Sequence, residues 1–254
     1  MGDRLVRELE VAAIRLVIRA STDPLAGALA DLLGGDSPPA RGPAPPASGD
    51  CVQIELQEGP TRLRGGPSGI VADVAPGELS AALRGVLVEA LDRRGGALLH
   101  GAAAVLDGKA ILCIAPSEGG KTTLCGKVAG RTPVLSDETV ALRLDGPSPR
   151  LSGTPFWSGE RLPTESGLFP LAAICFLRKG TMRLAPMAGP DALAELLLEW
   201  HLPERPGAAS DALSRANLLI SLVPLFTLQS TLEGDPLPLL REAAVARPAA
   251  GAAR

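Results

Sequence analysis

The sequence contains no tyrosine, and its few phenylalanines and tryptophans make up only 2% of 254 residues. Proteins that hold single-stranded nucleic acid stack bases on aromatic side chains, so this poverty argues against that class. The interior must instead be built from leucine, alanine and valine, within a hydrophobic content of 46%. There are two histidines, His100 and His201, and four widely spaced cysteines, Cys51, Cys113, Cys125 and Cys175. None forms a CxxC pair or has a ligand-spaced neighbour, which argues against a structural zinc site. Cys113 and Cys175 lie inside apolar runs and read as small buried hydrophobes. Long apolar runs are also missing. The longest, Leu218 to Leu228, is interrupted by Ser221, Pro224 and Thr227 and falls short of the roughly 18 residues of a membrane span. Met1 to Ala20 is charged every few residues and does not read as a signal peptide. Nor does one sign of charge dominate. The 25 basic and 28 acidic groups leave −3, with no long-range pull on nucleic acid or an anionic membrane. The expectation is a soluble, cytoplasmic protein with neither nucleic acid nor membrane as partner; homo-oligomerisation is left open.

Glycine and proline, by contrast, are plentiful, at 29 and 24 residues. They concentrate in Gly34 to Gly49, a stretch no packed element could tolerate, so residues 34–50 are expected to be a mobile loop or linker. That loop would sit in a small N-terminal α+β region, residues 1–66, ahead of a larger α/β domain, residues 67–254. Residues 4–19 are ambiguous, since Val11, Ile14, Val17 and Ile18 also fit one helical face. Cys51 to Leu56 alternates as a strand, and Pro76 to Arg94 carries a leucine-valine stripe of helical period. Ala97 to Leu106 and Ala110 to Ile114 are apolar runs joined by Asp107-Gly108-Lys109, a hairpin signal. Val134-Leu135 and Thr139 to Leu144 read as β segments. A second hairpin is expected where Ala172–Leu177 and Thr181–Leu184 flank Lys179-Gly180. Helices are expected over Asp191–Trp200, Ser210–Leu222 and Pro236–Val245, with a last strand at Phe226–Thr231.

The strand ending at Ile114 runs directly into Ala115-Pro-Ser-Glu-Gly-Gly-Lys-Thr122. This is the spacing of a phosphate-binding loop, with alanine at the position usually held by the first glycine. Such a loop wraps backbone N–H groups around phosphate oxygens at a helix start, and Gly119 and Gly120 permit that close approach. Ser117, Glu118, Gly119, Gly120, Lys121, Thr122 and Thr123 are therefore the candidate nucleotide contacts. Lys121 would neutralise the β- and γ-phosphates, and the Thr122 hydroxyl would reach Mg2+. Asp137 follows Lys121 by sixteen residues, beside Glu138, at the end of a short strand. A phosphotransferase needs acids there, one to organise the metal and one to take the acceptor's proton. No Asn-Lys-x-Asp stretch is present to read guanine, so a GTPase is excluded.

His100-Gly101, the hairpin leading into the loop, and Ser136-Asp137-Glu138 together resemble the C-terminal catalytic domain of the HPr kinase/phosphorylase family. The P-loop core of that family is similar to ATP-dependent phosphoenolpyruvate carboxykinase. The likeness is strong over residues 95–145 and weaker to about 245. It implies a P-loop kinase-like core with ATP and Mg2+, in which Asp137 accepts the proton of the substrate hydroxyl. It also implies that Glu138 helps to hold Mg2+ and that His100 lies beside the reacting phosphoryl group, with Lys121 completing the catalytic set. The family's Asp-Asp pair is Asp-Glu here, its later signature has no counterpart, and the residues before position 95 are unlike its regulatory domain. The pattern looks closer to the shorter HPr-kinase-like proteins of modified-peptide biosynthesis clusters, some of which phosphorylate a serine of a precursor peptide.

Gly153 to Glu160 holds two of the six aromatics. It reads equally as a site loop, placing Glu160 on Mg2+ and Trp157 over a ligand, or as a turn anchored to the core. Arg178-Lys179 reads as an exposed basic hairpin tip and His201 as a helix-end cation. Two functions remain: an ATP- and Mg-dependent serine kinase acting on a protein or peptide, and a catalytically weak or inactive nucleotide-binding protein that recognises a partner peptide.

Overall fold

The computed structural model describes residues 5–34, 51–66, 69–146, 148–158, 162 and 166–247. The expected mobile segment, apart from Gly34, lies outside the described residues, as does Glu160. The chain is mixed α/β, with two sheets and six α-helices among the described residues. It divides into two compact units between Ala90 and Leu91.

The first unit begins with β1 (Leu5–Val11) and β2 (Ile14–Ala20), followed by α1 (Asp23–Leu33), β3 (Cys51–Glu58), β4 (Arg62–Gly66) and β5 (Gly69–Val74). The ambiguous N-terminus is thus a hairpin rather than a helix. Its turn is made by Ala12 and Ala13, both at positive φ, 52° and 61°, which L-residues with a Cβ seldom adopt. The strands run β1-β2-β3-β5-β4, with β2, β3 and β5 parallel. Because β5 pairs with β3 along its whole length, residues beyond 66 belong to this unit, and the division falls later than the 66/67 expected from sequence. A 3-10 turn at Pro76–Glu78 leads into α2 (Leu79–Asp92).

In the second unit, β6 (Ala97–His100), β7 (Ala102–Leu106) and β8 (Lys109–Ile114) precede α3 (Lys121–Val128), β9 (Val134–Ser136), β10 (Thr139–Arg143) and β11 (Arg150–Ser152). Then come β12 (Phe169–Lys179), β13 (Arg183–Pro186), α4 (Gly189–Leu198), β14 (Trp200–His201), α5 (Ala208–Leu222), β15 (Leu225–Ser230) and α6 (Leu237–Val245). The strand order is β14-β6-β10-β11-β12-β8-β7-β9, with β15 on β12 and β13 on β15. The β7–β8 hairpin forms as its turn chemistry demands, with Asp107 and Gly108 at φ 50° and 74°, the paired positive angles of a tight primed turn.

Alternation along the central strands separates two apolar layers. Leu112, Ile114, Ile174 and Phe176 face one cluster with α4 and α5. Ile111, Cys113, Ala173 and Cys175 face the other, with α3 and α6. Cys113, Cys125 and Cys175 are buried free thiols, whereas Cys51 is exposed. Desolvation raises the pKa of all three buried thiols, that of Cys175 to about 12, and so keeps them protonated; they behave as the small hydrophobes the sequence suggests.

Three expectations are corrected here. The β12 and β13 strands do not form a hairpin. The last strand, β15, runs parallel to β12 and lies between it and β13. Arg178 is accordingly no exposed tip, because its guanidinium donates to Glu195 of α4. His201 is not at a helix end either, since Trp200-His201 pairs with Leu99-Leu98 of β6.

Candidate active site

Two chain crossovers create the site. The run from Ala97 to Leu106, expected as one apolar stretch, breaks at Gly101. Before it, β6 pairs with β10 and β14; after it, β7 pairs with β8 and β9. The strands β9 and β10 make the matching change across Asp137-Glu138. The two switches are side by side, for the Gly101 N–H donates to the Glu138 carbonyl at 2.9 Å. Crevices open at strand ends where partners change. His100 and Asp137 are placed in this way.

Beside them, β8 leads into the loop Ala115 to Gly120 and then α3. The loop is tightly wound. A Cβ built on Gly119 would lie 2.6 Å from the Ala115 Cβ and 2.8 Å from the Pro116 oxygen, so no larger residue fits there. Gly120, the residue before the helix, sits at φ 97°, a conformation side chains disfavour. The loop thus presents the first turn of α3 with its N–H groups uncovered by any capping side chain. The N-terminal dipole there favours an anion.

Lys121 is only 7% exposed. Its Nζ donates to the carbonyls of Ala115 (2.6 Å) and Pro116 (3.2 Å), spanning the loop it follows. Burial pulls this ammonium below the ordinary lysine value, against the opposing fields of Glu199, Asp137 and Glu138. Glu199 was not foreseen from the sequence. It enters from the junction of α4 and β14, where its carbonyl accepts the His100 N–H at 2.7 Å.

Asp137 is 1% exposed, and its neighbours explain how a carboxylate is held there. The Ser136 hydroxyl accepts the N–H groups of Glu138 (3.1 Å) and Thr139 (3.0 Å), closing the turn that carries the two acids. It also donates to the Phe156 carbonyl at 3.0 Å. Thr154 donates to the Thr139 carbonyl at 2.6 Å. These bonds fasten the segment 153–158 to the acidic turn, and Phe156 is buried at its centre. Trp157 packs against the α3 layer, in keeping with the anchoring role considered for these aromatics.

The result is a short polar chain. The Ser158 N–H donates to Asp137 Oδ1 at 3.0 Å, and the Ser158 hydroxyl donates to Oδ2 at 2.5 Å. Thr122 Oγ1 lies 2.8 Å from Ser158 Oγ. Ser158 has one hydroxyl proton and gives it to the carboxylate, so Thr122 is the donor in that second bond. Together His100, the loop from Ser117 to Thr123, Asp137 and Ser158 line a cleft of about 210 Å3. The fold therefore gathers His100, Lys121, Thr122 and Asp137, with Glu138 close enough to act on Lys121 through its charge. Ser158 was not singled out by the sequence; the glycine-bounded aromatic loop was its only signal. Among the described residues no three His, Cys, Asp or Glu side chains converge as a metal cage, and no helix is long and apolar enough to cross a membrane.

Residues 78–195, just under half of the chain, match the family described as SynChlorMet cassette protein ScmC. That stretch contains the loop, Asp137 and Ser158 and stops short of Glu199. No curated protein matches the chain. Among solved structures, an HPr(Ser) kinase/phosphatase from Coxiella burnetii is similar at 12% identity, over 58% of this chain and 93% of that one, with a TM-score of 0.33.

Proposed function

We propose that the chain is an ATP- and Mg-dependent kinase that places the γ-phosphate on a serine-type hydroxyl of a protein or precursor peptide. The observation that carries this reading is the meeting, in one cleft, of a glycine loop ending in Lys121-Thr122 with a buried carboxylate already accepting a serine hydroxyl. The N–H groups opening α3, with Ser117, Glu118, Gly119, Gly120 and Thr123 around them, would hold phosphate oxygens. Lys121 would exchange its loop carbonyls for those oxygens. Thr122 and Glu138 would hold Mg2+, and Glu160 is a further candidate from its place in the sequence. Hydroxyl and carboxylate oxygens around Thr122 are the hard donors this ion takes. When bound, the metal offsets charge on the β- and γ-phosphates. Asp137 would take the acceptor's proton, its turn locked by Ser136, while His100 lies at the same strand switch beside the transferred group.

The test is incubation with γ-labelled ATP, Mg2+ and serine-containing peptides. Lys121→Ala is expected to lose nucleotide binding. Asp137→Asn is expected to keep binding while transfer falls by about 100- to 10,000-fold. Transfer by Asp137→Asn at the wild-type rate refutes the base assignment. ATP binding with no transfer to any hydroxyl supports the non-catalytic nucleotide-binding reading instead.

A further inference from the structure

We propose that Ser158 is itself a phosphoacceptor, modified by the chain's own cleft, an inference that rests on the phosphotransfer reading above. A serine hydroxyl becomes an acceptor when a base holds its proton, when its backbone is fixed, and when a phosphoryl donor can be reached. Ser158 meets the first two within the chain and sits where the donor would be held. Its Oγ donates to Asp137 Oδ2 at 2.5 Å. Its N–H donates to Oδ1 of the same carboxylate at 3.0 Å, so residue and base are clamped by a two-point contact. Its Oγ is also 2.8 Å from Thr122 Oγ1, in the first turn of the helix that follows the glycine loop. Three tethers hold the segment in this register: the Phe156 ring in the core, Ser136 on the Phe156 carbonyl, and Thr154 on Thr139. An acceptor held in its own chain reacts at an effective concentration that a free peptide cannot match.

In the step, Ser158 Oγ forms a bond to the γ-phosphorus of a bound nucleoside triphosphate. The bond from that phosphorus to the β,γ-bridging oxygen breaks, and its electron pair leaves with the nucleoside diphosphate. The hydroxyl proton passes to Asp137 Oδ2. The product carries close to two negative charges beside Asp137, and Ser158 Oγ, now a phosphoester, has no further proton to give. The modification is thus self-limiting at one phosphate per chain.

The test uses the intact protein with Mg2+ and γ-labelled ATP, followed by mass spectrometry of the peptide spanning Ser158. Nucleotide binding is measured in parallel with a fluorescent ATP analogue. The expected result is one phosphate per chain at Ser158, absent in Asp137→Asn, appearing at a per-chain rate that does not change when the protein is diluted tenfold. Ser158→Thr is expected to carry phosphothreonine. Nucleotide binding or turnover with no phosphate at Ser158 overturns this inference and leaves the kinase reading standing. A per-chain rate that falls in proportion to dilution overturns transfer within one chain. Failure to bind nucleotide overturns the inference and the kinase reading together.

Discussion

Removal of the Asp92 carboxylate tests how the second unit is held together away from the cleft. Asp92 is 9% exposed and accepts three guanidinium N–H groups. Arg205 gives two, Nε to Oδ2 at 2.7 Å and Nη2 to Oδ1 at 3.0 Å, and Arg215 gives one to Oδ1 at 2.6 Å. Asp92 lies past the division at Ala90/Leu91, so the cluster ties the start of the second unit to α5. In Asp92→Ala each arginine keeps other acceptors: Asp211 at 2.6 Å for Arg205, and the Gly96 and Asp92 carbonyls, each at 3.1 Å, for Arg215. The loss is therefore smaller than the 3–5 kcal/mol of a fully orphaned buried charge. Solvent around Arg205, whose side chain is 34% exposed, screens it further. The expected cost is about 2 kcal/mol, which in a unit of this size lowers the melting temperature by about 4–8 °C. The pH dependence supplies a second check. Burial pushes the Asp92 carboxyl up, but the hydrogen bonds and charges of Arg205 and Arg215 outweigh this and hold it below the usual aspartate value. A depressed carboxyl contributes stability that is present above its unfolded value and is lost as pH falls through its folded one. Melting by calorimetry is expected to show the full gap between wild type and variant at pH 7, closing as pH drops below about 4. A gap under about 1 °C at pH 7, or one that persists undiminished in acid, refutes the account.

Other expectations concern the loop and its supports. Gly119→Ala places a methyl 2.6 Å from the Ala115 Cβ; nucleotide affinity is expected to fall at least about tenfold by fluorescent-analogue titration, and unchanged affinity contradicts the tight-loop argument. Phe156→Ala empties a site that is 1% exposed, at a cost of about 3–5 kcal/mol. Hydrogen exchange at Ser158 should quicken in the same variant, because its tether is gone. Arg178→Ala breaks a partly exposed pair with Glu195, so denaturant melts should move by less than about 1 kcal/mol. Among the thiols, Cys51 should react with a maleimide at once and the other three only on unfolding, since they are buried and resist ionisation.

What the chain discloses before folding is uneven, for identifiable reasons. The glycine loop, the β7–β8 hairpin and α3 are visible because their chemistry is local: a turn that needs positive φ, and glycines where a Cβ cannot fit. The ends of β12, α5, β15 and α6 follow from apolar patterning within a few residues. The β1–β2 hairpin is hidden because alanines make its turn, and Val11, Ile14, Val17 and Ile18 satisfy two periods at once. Lys179-Gly180 looks like a hairpin turn, but the partner of β13 lies some forty residues downstream, and no local signal encodes that. The cleft divides in the same way. Lys121, Thr122 and Asp137 announce themselves by spacing. Ser158 and Glu199 reach the site only through the packing of Phe156 and the α4–β14 junction, which are tertiary facts.

The placement of β15 between β12 and β13 bears on the order in which the chain can be assembled. During synthesis β8 and β12 emerge long before residues 225–230, so the sheet must wait with one edge of β12 open and β13 lacking the strand it joins. Open edges invite pairing with neighbouring chains. The apolar layer under α3 is also incomplete until Leu228, Leu237 and Leu240 arrive. Even the helix that follows the glycine loop is latched late, by Lys127 Nζ on the carbonyls of Thr231 (2.7 Å) and Gly234 (2.8 Å). A nascent chain that has already made the loop therefore has no finished cleft to use, and a ribosome stalled before residue 225 would release a product that carries the motif without the fold.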